Sequence, residues 1–238
     1  MPRPDGRAPD QLRPVTMTLG AQRFAEGSVL IETGHTRVLC AVSVEESVPS
    51  FLRGAGKGWI TAEYSMLPRS TLTRTSRERD KVKGRTHEIQ RLIGRSIRAV
   101  TDLGALGERT LTIDCDVLQA DGGTRTAAVT GAYVAVCQAV KTLQDRKLLG
   151  DSPLKSAVAA TSVGILDGKT ILDLCYEEDF RAEADFNLVM TDKGTFVEVQ
   201  GTGEEATFSK EQFTEVITLA EKGIGELLAA QKTAIEQL

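Results

Sequence analysis

Apolar residues recur along this chain with two periods, and the two kinds of segment alternate. The runs Ser28 to Glu32 and Arg37 to Val44 are alternating or β-branched around the turn Thr33-Gly34-His35-Thr36, which predicts a hairpin. From Thr110 to Leu118 the alternation is strict. Leu111, Ile113, Cys115 and Val117 fall on one side and Thr110, Thr112, Asp114 and Asp116 on the other, the pattern of a half-buried strand. Two more hairpins are expected: Val158 to Leu166 with Thr170 to Cys175 about Asp167-Gly168, and Ala184 to Met190 with Thr195 to Gln200 about Asp192-Lys193-Gly194.

Three segments carry the helical period instead. In Thr86 to Val100, the apolar residues Ile89, Leu92, Ile93, Ile97 and Val100 line one stripe, and Arg91, Arg95 and Arg98 share the other side. Thr124 to Leu143 is Ala-rich and apolar on most faces, which predicts a central buried helix. The last helix opens on a capping box of Ser209 and Gln212, and Phe213, Val216, Ile217, Ala220, Ile224, Leu227 and Leu228 follow at helical spacing, ready to pack on a sheet. Together these elements predict an α+β fold, with mixed β-sheets and packed helices, in a single domain spanning residues 1–238.

Composition supports a folded chain. With 238 residues, 41% hydrophobic and 26% charged, there is material for a sizeable core, and disorder is excluded as the main description. Cys40, Cys115, Cys137 and Cys175 form no CxxC pair and sit mostly inside apolar runs, so buried free thiols in a reducing compartment are expected. No stretch approaches the roughly 18 unbroken apolar residues of a membrane span, and Met1 to Pro14 lacks the basic-then-apolar order of a leader. A cytoplasmic protein without a membrane anchor follows as an expectation.

Charge changes the picture, because it is uneven. The net charge is −4, yet Arg69 to Arg98 holds ten basic residues (Arg69, Arg74, Arg77, Arg79, Lys81, Lys83, Arg85, Arg91, Arg95, Arg98) against three acidic ones (Glu78, Asp80, Glu88). A positive patch on an acidic body is the footprint of a protein that touches phosphates. Ser70 to Gly84 is too polar to order itself by burial and is expected to move until a partner arrives. Only Trp59 and Tyr64 among the aromatics lie near this patch in sequence, so a nucleic acid would be gripped by its backbone, with steep salt dependence.

Two loops carry candidate chemistry. Asp121-Gly122-Gly123-Thr124-Arg125-Thr126 joins a strand to the buried helix, and a helix start offers unpaired N–H groups and partial positive charge to an anion. The spacing is neither a P-loop nor GxGxxG. A bare glycine turn capped by Thr124 would look much the same, but Arg125 opposes the helix dipole unless an anion joins it. Arg85 repeats the arrangement before Thr86; on spacing alone it reads as a surface residue beside an N-cap, but two such helix starts, if they meet, can share one oxyanion. The second loop crowds Asp173, Glu177, Glu178, Asp179, Glu183 and Asp185 together. Glu177, Glu178 and Glu183 read as solvated. Asp185 shares a strand face with Asn187, where it can bind a divalent cation or hold a proton for a leaving group, and Asp179 is within reach of the same point. With only His35 and His87, zinc and histidine-triad chemistry is disfavoured.

Five stretches resemble the bacterial ribonuclease PH family: Arg3 to Arg7 (RPDGR), Phe51 to Arg69 (FLRGAGKGWITAEYSMLPR), Gly84 to Arg95 (GRTHEIQRLIGR), Asp114 to Thr126 (DCDVLQADGGTRT) and Glu198 to Phe208 (EVQGTGEEATF). The likeness covers nearly the whole chain. It implies a phosphorolytic 3′ to 5′ exoribonuclease that uses inorganic phosphate to trim transfer RNA precursors, releases nucleoside diphosphates, and can run in reverse as a nucleotidyltransferase. It also implies the family's α+β fold and a homohexamer built as a trimer of dimers. Carried over by motif, the phosphate-binding residues fall on Arg85, Gly123, Thr124 and Arg125, the catalytic and Mg²⁺-holding pair on Asp179 and Asp185, and the RNA-guiding arginines on Arg69, Arg74 and Arg77. A non-catalytic ring subunit would need only the fold and the basic patch, not both arginines and both aspartates. A hydrolase would release monophosphates without phosphate.

Overall fold

A computed structural model describes residues 3–78, 82–204 and 206–238. Among the described residues, nine strands form two sheets. In the first, β1 (Val15–Leu19), β2 (Gly27–Thr33), β3 (Thr36–Glu45), β5 (Thr110–Gln119) and β4 (Trp59–Met66) lie in the order β1-β2-β3-β5-β4. All neighbours are antiparallel except β4 and β5, which α1 (Gly84–Ala99) and the short α2 (Leu103–Leu106) connect as a parallel crossover. In the second sheet, β6 (Val158–Leu166), β7 (Lys169–Leu172), β8 (Ala184–Thr191) and β9 (Phe196–Gly203) pair antiparallel in the order β7-β6-β8-β9. Helix α3 (Thr124–Asp145) follows β5, the six-residue α4 (Tyr176–Arg181) bridges β7 and β8, and α5 (Lys210–Ile235) closes the described chain.

Helix α3 is the centre of the packing. Ala127, Ala128, Ala132, Ala135 and Ala139 are all buried, and their small side chains let the helix approach the first sheet closely. At Gly131 even a methyl group would meet Ile31 Cγ2 at 2.7 Å and Cys40 Sγ at 3.0 Å. Strand β6 is buried along its whole length because both of its faces are covered. Val158 and Ala160 join the core around α3, while Ala159, Val163 and Ile165 join Val216, Ala220, Ile224 and Leu227 of α5. The first sheet has α1 and α3 on one face only, which is why Asp114 and Asp116 are half exposed on the other.

Most elements lie where periodicity predicts them, and the departures have physical causes. The expected strand Thr170 to Cys175 ends at Leu172, because Asp173 adopts a left-handed φ of 53°. The loop expected over the acidic cluster contains α4, and Glu178 is not solvated there. Its carboxylate is 3% exposed and takes bonds from Arg3 Nε (2.7 Å) and Nη2 (2.8 Å). Arg98 also leaves the solvent side, stacking 4.6 Å above the Trp59 ring and donating to Ile60 O at 2.7 Å. Strands β1 and β4, not among the expected elements, also alternate, with Val15, Met17 and Leu19 on one side of β1 and Ile60, Ala62, Tyr64 and Met66 on one side of β4, and they pair with β2 and β5. The expected capping box on α5 is present.

One buried ion pair joins the N-terminal segment to both halves. Arg13 donates to Asp173 from Nη2 (2.6 Å), Nε (3.0 Å) and its backbone N–H (2.8 Å), and also to the carbonyl of Asp121. Burial raises the Asp173 carboxyl, but the hydrogen bonds and charge of Arg13 outweigh it and leave the carboxyl below its ordinary value. In the ordinary carboxylate range the native form therefore binds fewer protons than the unfolded chain. This contribution to stability is present above that range and is lost as pH falls through the lowered value. Asp173→Asn, which leaves Arg13 buried without its charge partner, is expected to cost about 3–5 kcal/mol in urea unfolding at pH 7. The variant should also show a weaker loss of stability on acidification than the parent.

Candidate active site at the junction of the two sheets

The glycine loop leaves β5 and turns into α3 through two left-handed glycines, Gly122 (φ 71°) and Gly123 (φ 63°). Gly122 lies directly against the start of α4. A Cβ there would meet Leu174 O at 2.5 Å and Tyr176 N at 2.9 Å, so only glycine lets the two segments touch. The contact is reinforced by the Tyr176 N–H, which donates to Asp121 Oδ1 at 3.1 Å, and by Thr36 Oγ1, which donates to Gly122 O at 2.7 Å.

No side chain caps the N-terminus of α3, and no acidic residue lies in its first turn. The first helical N–H groups keep their partial positive charge. A Thr124 cap is thereby ruled out. The Thr124 hydroxyl instead meets the phenol of buried Tyr64, 2.8 Å away, and Thr126 Oγ1 donates back to Gly123 O at 2.9 Å. Among the described residues helix α1 likewise begins without a side-chain cap from its N-cap residue Lys83 or an acid in its first turn, although Glu78 accepts from the Lys83 N–H (3.1 Å) and the Thr86 hydroxyl (3.2 Å). Arg85, in its first turn, is exposed and has no hydrogen bond or ion pair among the described residues.

Electrostatics bring these groups to one place. The carboxyl of Asp179 feels the positive charges of Arg85, Arg125 and Arg13. Asp185, at the start of β8, feels Asp179 and Arg125. The Tyr64 phenol, pushed up by burial, is partly relieved by its Thr124 bond and by Arg85 and Arg125. The two helix starts and the two aspartates thus lie within electrostatic reach of one another, and α4 is held against the glycine loop through Tyr176 and Gly122. Asp185 is half buried beside Asn187, whose Nδ2 approaches Asp185 Oδ2 at 3.5 Å, and the side chains of Phe186 and Leu188 point the other way into the core. Both carboxyls are raised, chiefly by desolvation. For Asp185 the negative charge of Asp179 adds to the effect, whereas the arginines temper the rise at Asp179.

A polar chain that sequence reasoning did not single out positions Arg125. Its Nη1 donates to Glu88 Oε1 (3.3 Å) and Gln200 Oε1 (3.2 Å), and Gln200 Nε2 donates to Glu88 (2.9 Å) and Glu198 (2.8 Å). Arg95 closes the chain by donating from Nε to Glu198 at 2.9 Å. The one available signal was Glu88, one helical turn after Arg85. Arg69, Arg74 and Arg77 are not among the main charges acting on Asp179 and Asp185. All three are exposed on an irregular segment that starts beside the glycine loop, where Ala120 N–H donates to Ser70 O at 2.8 Å. Arg69 donates to Leu72 O (3.0 Å), and Arg77 acts on Asp116 of the open sheet face. Arg79, Asp80 and Lys81 lie outside the described residues.

Known proteins resemble this chain in sequence and in fold. Profiles of the 3′ exoribonuclease family match residues 11–142 as its domain 1 and residues 156–223 as its domain 2. The chain belongs to the 3′ exoribonuclease family. It is 60% identical to the ribonuclease PH of Corynebacterium glutamicum (strain R), over 97% of this chain and 95% of that protein. It is 58% identical to the ribonuclease PH of Dehalococcoides mccartyi (strain ATCC BAA-2266 / KCTC 15142 / 195), over 98% of each. Among solved structures, an Archaeoglobus fulgidus exosome with RNA bound to the active site matches with a TM-score of 0.81 at 21% identity, over 95% of this chain and 91% of that one. An archaeal exosome core matches with a TM-score of 0.74 at 21% identity, over 98% of this chain and 90% of that one. At that identity the likeness concerns the fold.

A raised carboxyl binds more protons in the native state than in the unfolded one, so Asp185 opposes folding once it ionises. Asp185→Asn is expected to raise the thermal midpoint at pH 7 by about 2–4 °C, the shift that about 1 kcal/mol produces in a chain of this length. The gain should shrink as pH falls through the ordinary carboxylate range, where Asp185 takes up its proton. A scan of midpoint against pH for both proteins checks this.

Proposed function

We propose that the cleft holds inorganic phosphate on Arg85, Gly123, Thr124 and Arg125 and directs it at the last phosphodiester of an RNA chain, with Asp179 and Asp185 as the catalytic carboxylates. The enzyme is a phosphorolytic 3′ to 5′ exoribonuclease that acts in transfer RNA processing, and phosphate is its co-substrate. The observation that carries the reading is the convergence of two uncapped helix starts, each with an arginine, on a pair of raised carboxyls. Two anions must meet for this reaction, and fixed positive charge at the meeting point lowers the barrier by positioning and electrostatics.

The chemistry then follows from the chain's own groups. Arg85, Arg125 and the free N–H groups at Gly123 and Thr124 orient a phosphate oxygen toward the terminal phosphorus. A new P–O bond forms and the bond to the 3′ oxygen of the preceding nucleotide breaks, giving a nucleoside diphosphate and a chain shorter by one. Asp185, whose carboxyl is raised by desolvation and by the charge of Asp179, supplies the proton to the departing oxygen. Run backwards, the same groups add a nucleotide.

Two carboxylates, one of which (Asp179) raises the proton affinity of the other (Asp185), also fit a hard divalent cation. Among the described residues no group of three or more His, Cys, Asp or Glu forms a full cage. Mg²⁺ suits such a site, since it takes one or two carboxylates and fills its shell with water and substrate phosphate. Asp179 and Asp185 would hold it, and it would neutralise charge developing on the phosphate oxygens. Arg69, Arg74 and Arg77 would guide the RNA backbone toward the cleft.

We infer further that the chain is a single domain, since the core around α3 draws Val158, Ala160, Val189 and Ala234 from beyond the first matched segment. It is read as a cytoplasmic homohexamer, a trimer of dimers. The fold's likeness to exosome structures supports a multi-subunit state, and the four free cysteines support a reducing compartment. No helix among the described residues is long and apolar enough to cross a membrane.

Asp185→Asn is expected to lower turnover at least a hundredfold while leaving RNA affinity within about twofold, because the loss of a proton donor acts in the transition state. Arg125→Ala should chiefly raise the phosphate concentration needed for half-maximal rate, by about tenfold or more. Steady-state kinetics at varied phosphate, with RNA binding measured separately, distinguishes the two. Near-normal turnover in the first variant, or a normal phosphate dependence in the second, would remove that residue from its role.

A further inference from the structure

Helix α4 displays two aromatic rings beside the cleft. Tyr176, Asp179 and Phe180 are spaced i, i+3, i+4, so they share one face of the helix. Tyr176 is 57% exposed and Phe180 79%, and their ring centroids lie 6.3 Å apart at a tilt of 32°. The opposite face is anchored through Glu178, which is bonded to Arg3 and to the Cys175 N–H (3.0 Å). A helix clamped on one side and bare on the other holds its outward side chains in a fixed place. The start of α4 touches the glycine loop through Tyr176 N–H and Gly122, and Asp179, between the rings in sequence, faces Arg85 and Arg125. The exposed rings therefore border the place where the terminal phosphodiester must lie.

We propose that Tyr176 and Phe180 are a stacking platform for the bases at the 3′ end of the RNA. The proposal rests on the phosphorolytic reading above and goes beyond it, because the arginines and aspartates of the cleft recognise only phosphate. An enzyme that advances one nucleotide at a time must grip each new end whatever its base. Aromatic stacking does this, since every base has a π-face. Of the two kinds of contact that an exposed aromatic pair can make, base stacking is favoured here over subunit packing by the continuity of the rings with the phosphate-directed cleft.

The test compares two RNAs of equal length, one intact and one with abasic riboses at its last two positions, on the parent enzyme and on the Tyr176→Ala/Phe180→Ala double variant. The expected result is about a tenfold rise in the RNA KM of the double variant, with an unchanged phosphate KM. The abasic RNA should be penalised to a similar extent by the parent and hardly at all by the variant, and Tyr176→Trp should retain the base dependence. An equal abasic penalty in both enzymes, or an unchanged RNA KM, overturns the proposal. A fall in sedimentation mass with the base dependence intact overturns it in favour of a subunit contact. Release of nucleoside monophosphates by the parent in the absence of phosphate would instead defeat the underlying phosphorolytic reading.

Discussion

The Arg13–Asp173 pair is the contact on which the cleft depends. A single buried guanidinium bonds to Asp173, in the second half of the chain, and to the Asp121 carbonyl in the glycine loop of the first half. Arg85 and Arg125 come from helices that pack on the first sheet, while Asp179 and Asp185 come from α4 and β8 of the second. Neither set does the chemistry alone. Arg13 therefore fixes the distance between positive and negative groups, and Arg3, bonded to Glu178 and to the Asp173 carbonyl, fixes the tilt of the helix that carries Asp179. The N-terminal residues, a polar and charged segment in sequence, act as a brace.

The cleft is locally unfavourable by design. Two helices start without side-chain caps, one exposed arginine has no hydrogen-bond or ion-pair partner among the described residues, and two carboxyls are held where ionisation is disfavoured. Each of these features costs stability, and each is relieved when an anion and a cation or proton arrive. Such local conflicts are expected where function overrides folding. The surrounding structure offsets them with ordinary means: an Ala-rich helix in close contact with a sheet, and a strand buried on both faces.

Much of the fold is legible in the sequence because its amphipathic elements obey simple periods. The β2–β3 hairpin, strand β5 and helices α1, α3 and α5 stand out in this way. Short or weakly patterned elements do not. Strand β1 is only five residues long, half-buried on one face and exposed on the other, and α4 is a six-residue helix hidden in a run of acidic residues. Within the site, the glycine loop and Arg85 are visible because helix starts have a local signature, and the pairing of Asp185 with Asn187 follows from strand alternation. The burial of Glu178 is invisible because its partner, Arg3, lies 175 residues away. The same holds for Gln200 and Glu198, which reach Arg125 and Arg95 only once β9 packs near α1. In sequence, Trp59 and Tyr64 are the aromatics near the basic stretch, and folding brings Tyr176 and Phe180 to the cleft from a distant segment.

The central claim is that phosphate, gathered between the two helix starts, is the attacking group. The most direct measurement incubates the enzyme and Mg²⁺ with a 3′-extended RNA and ¹⁸O-labelled inorganic phosphate, and determines the released nucleotide by mass. Nucleoside diphosphates whose terminal phosphate carries the label, formed only when phosphate is present, are the expected result. Unlabelled monophosphates formed in the absence of phosphate would mean that water attacks, and would contradict the claim.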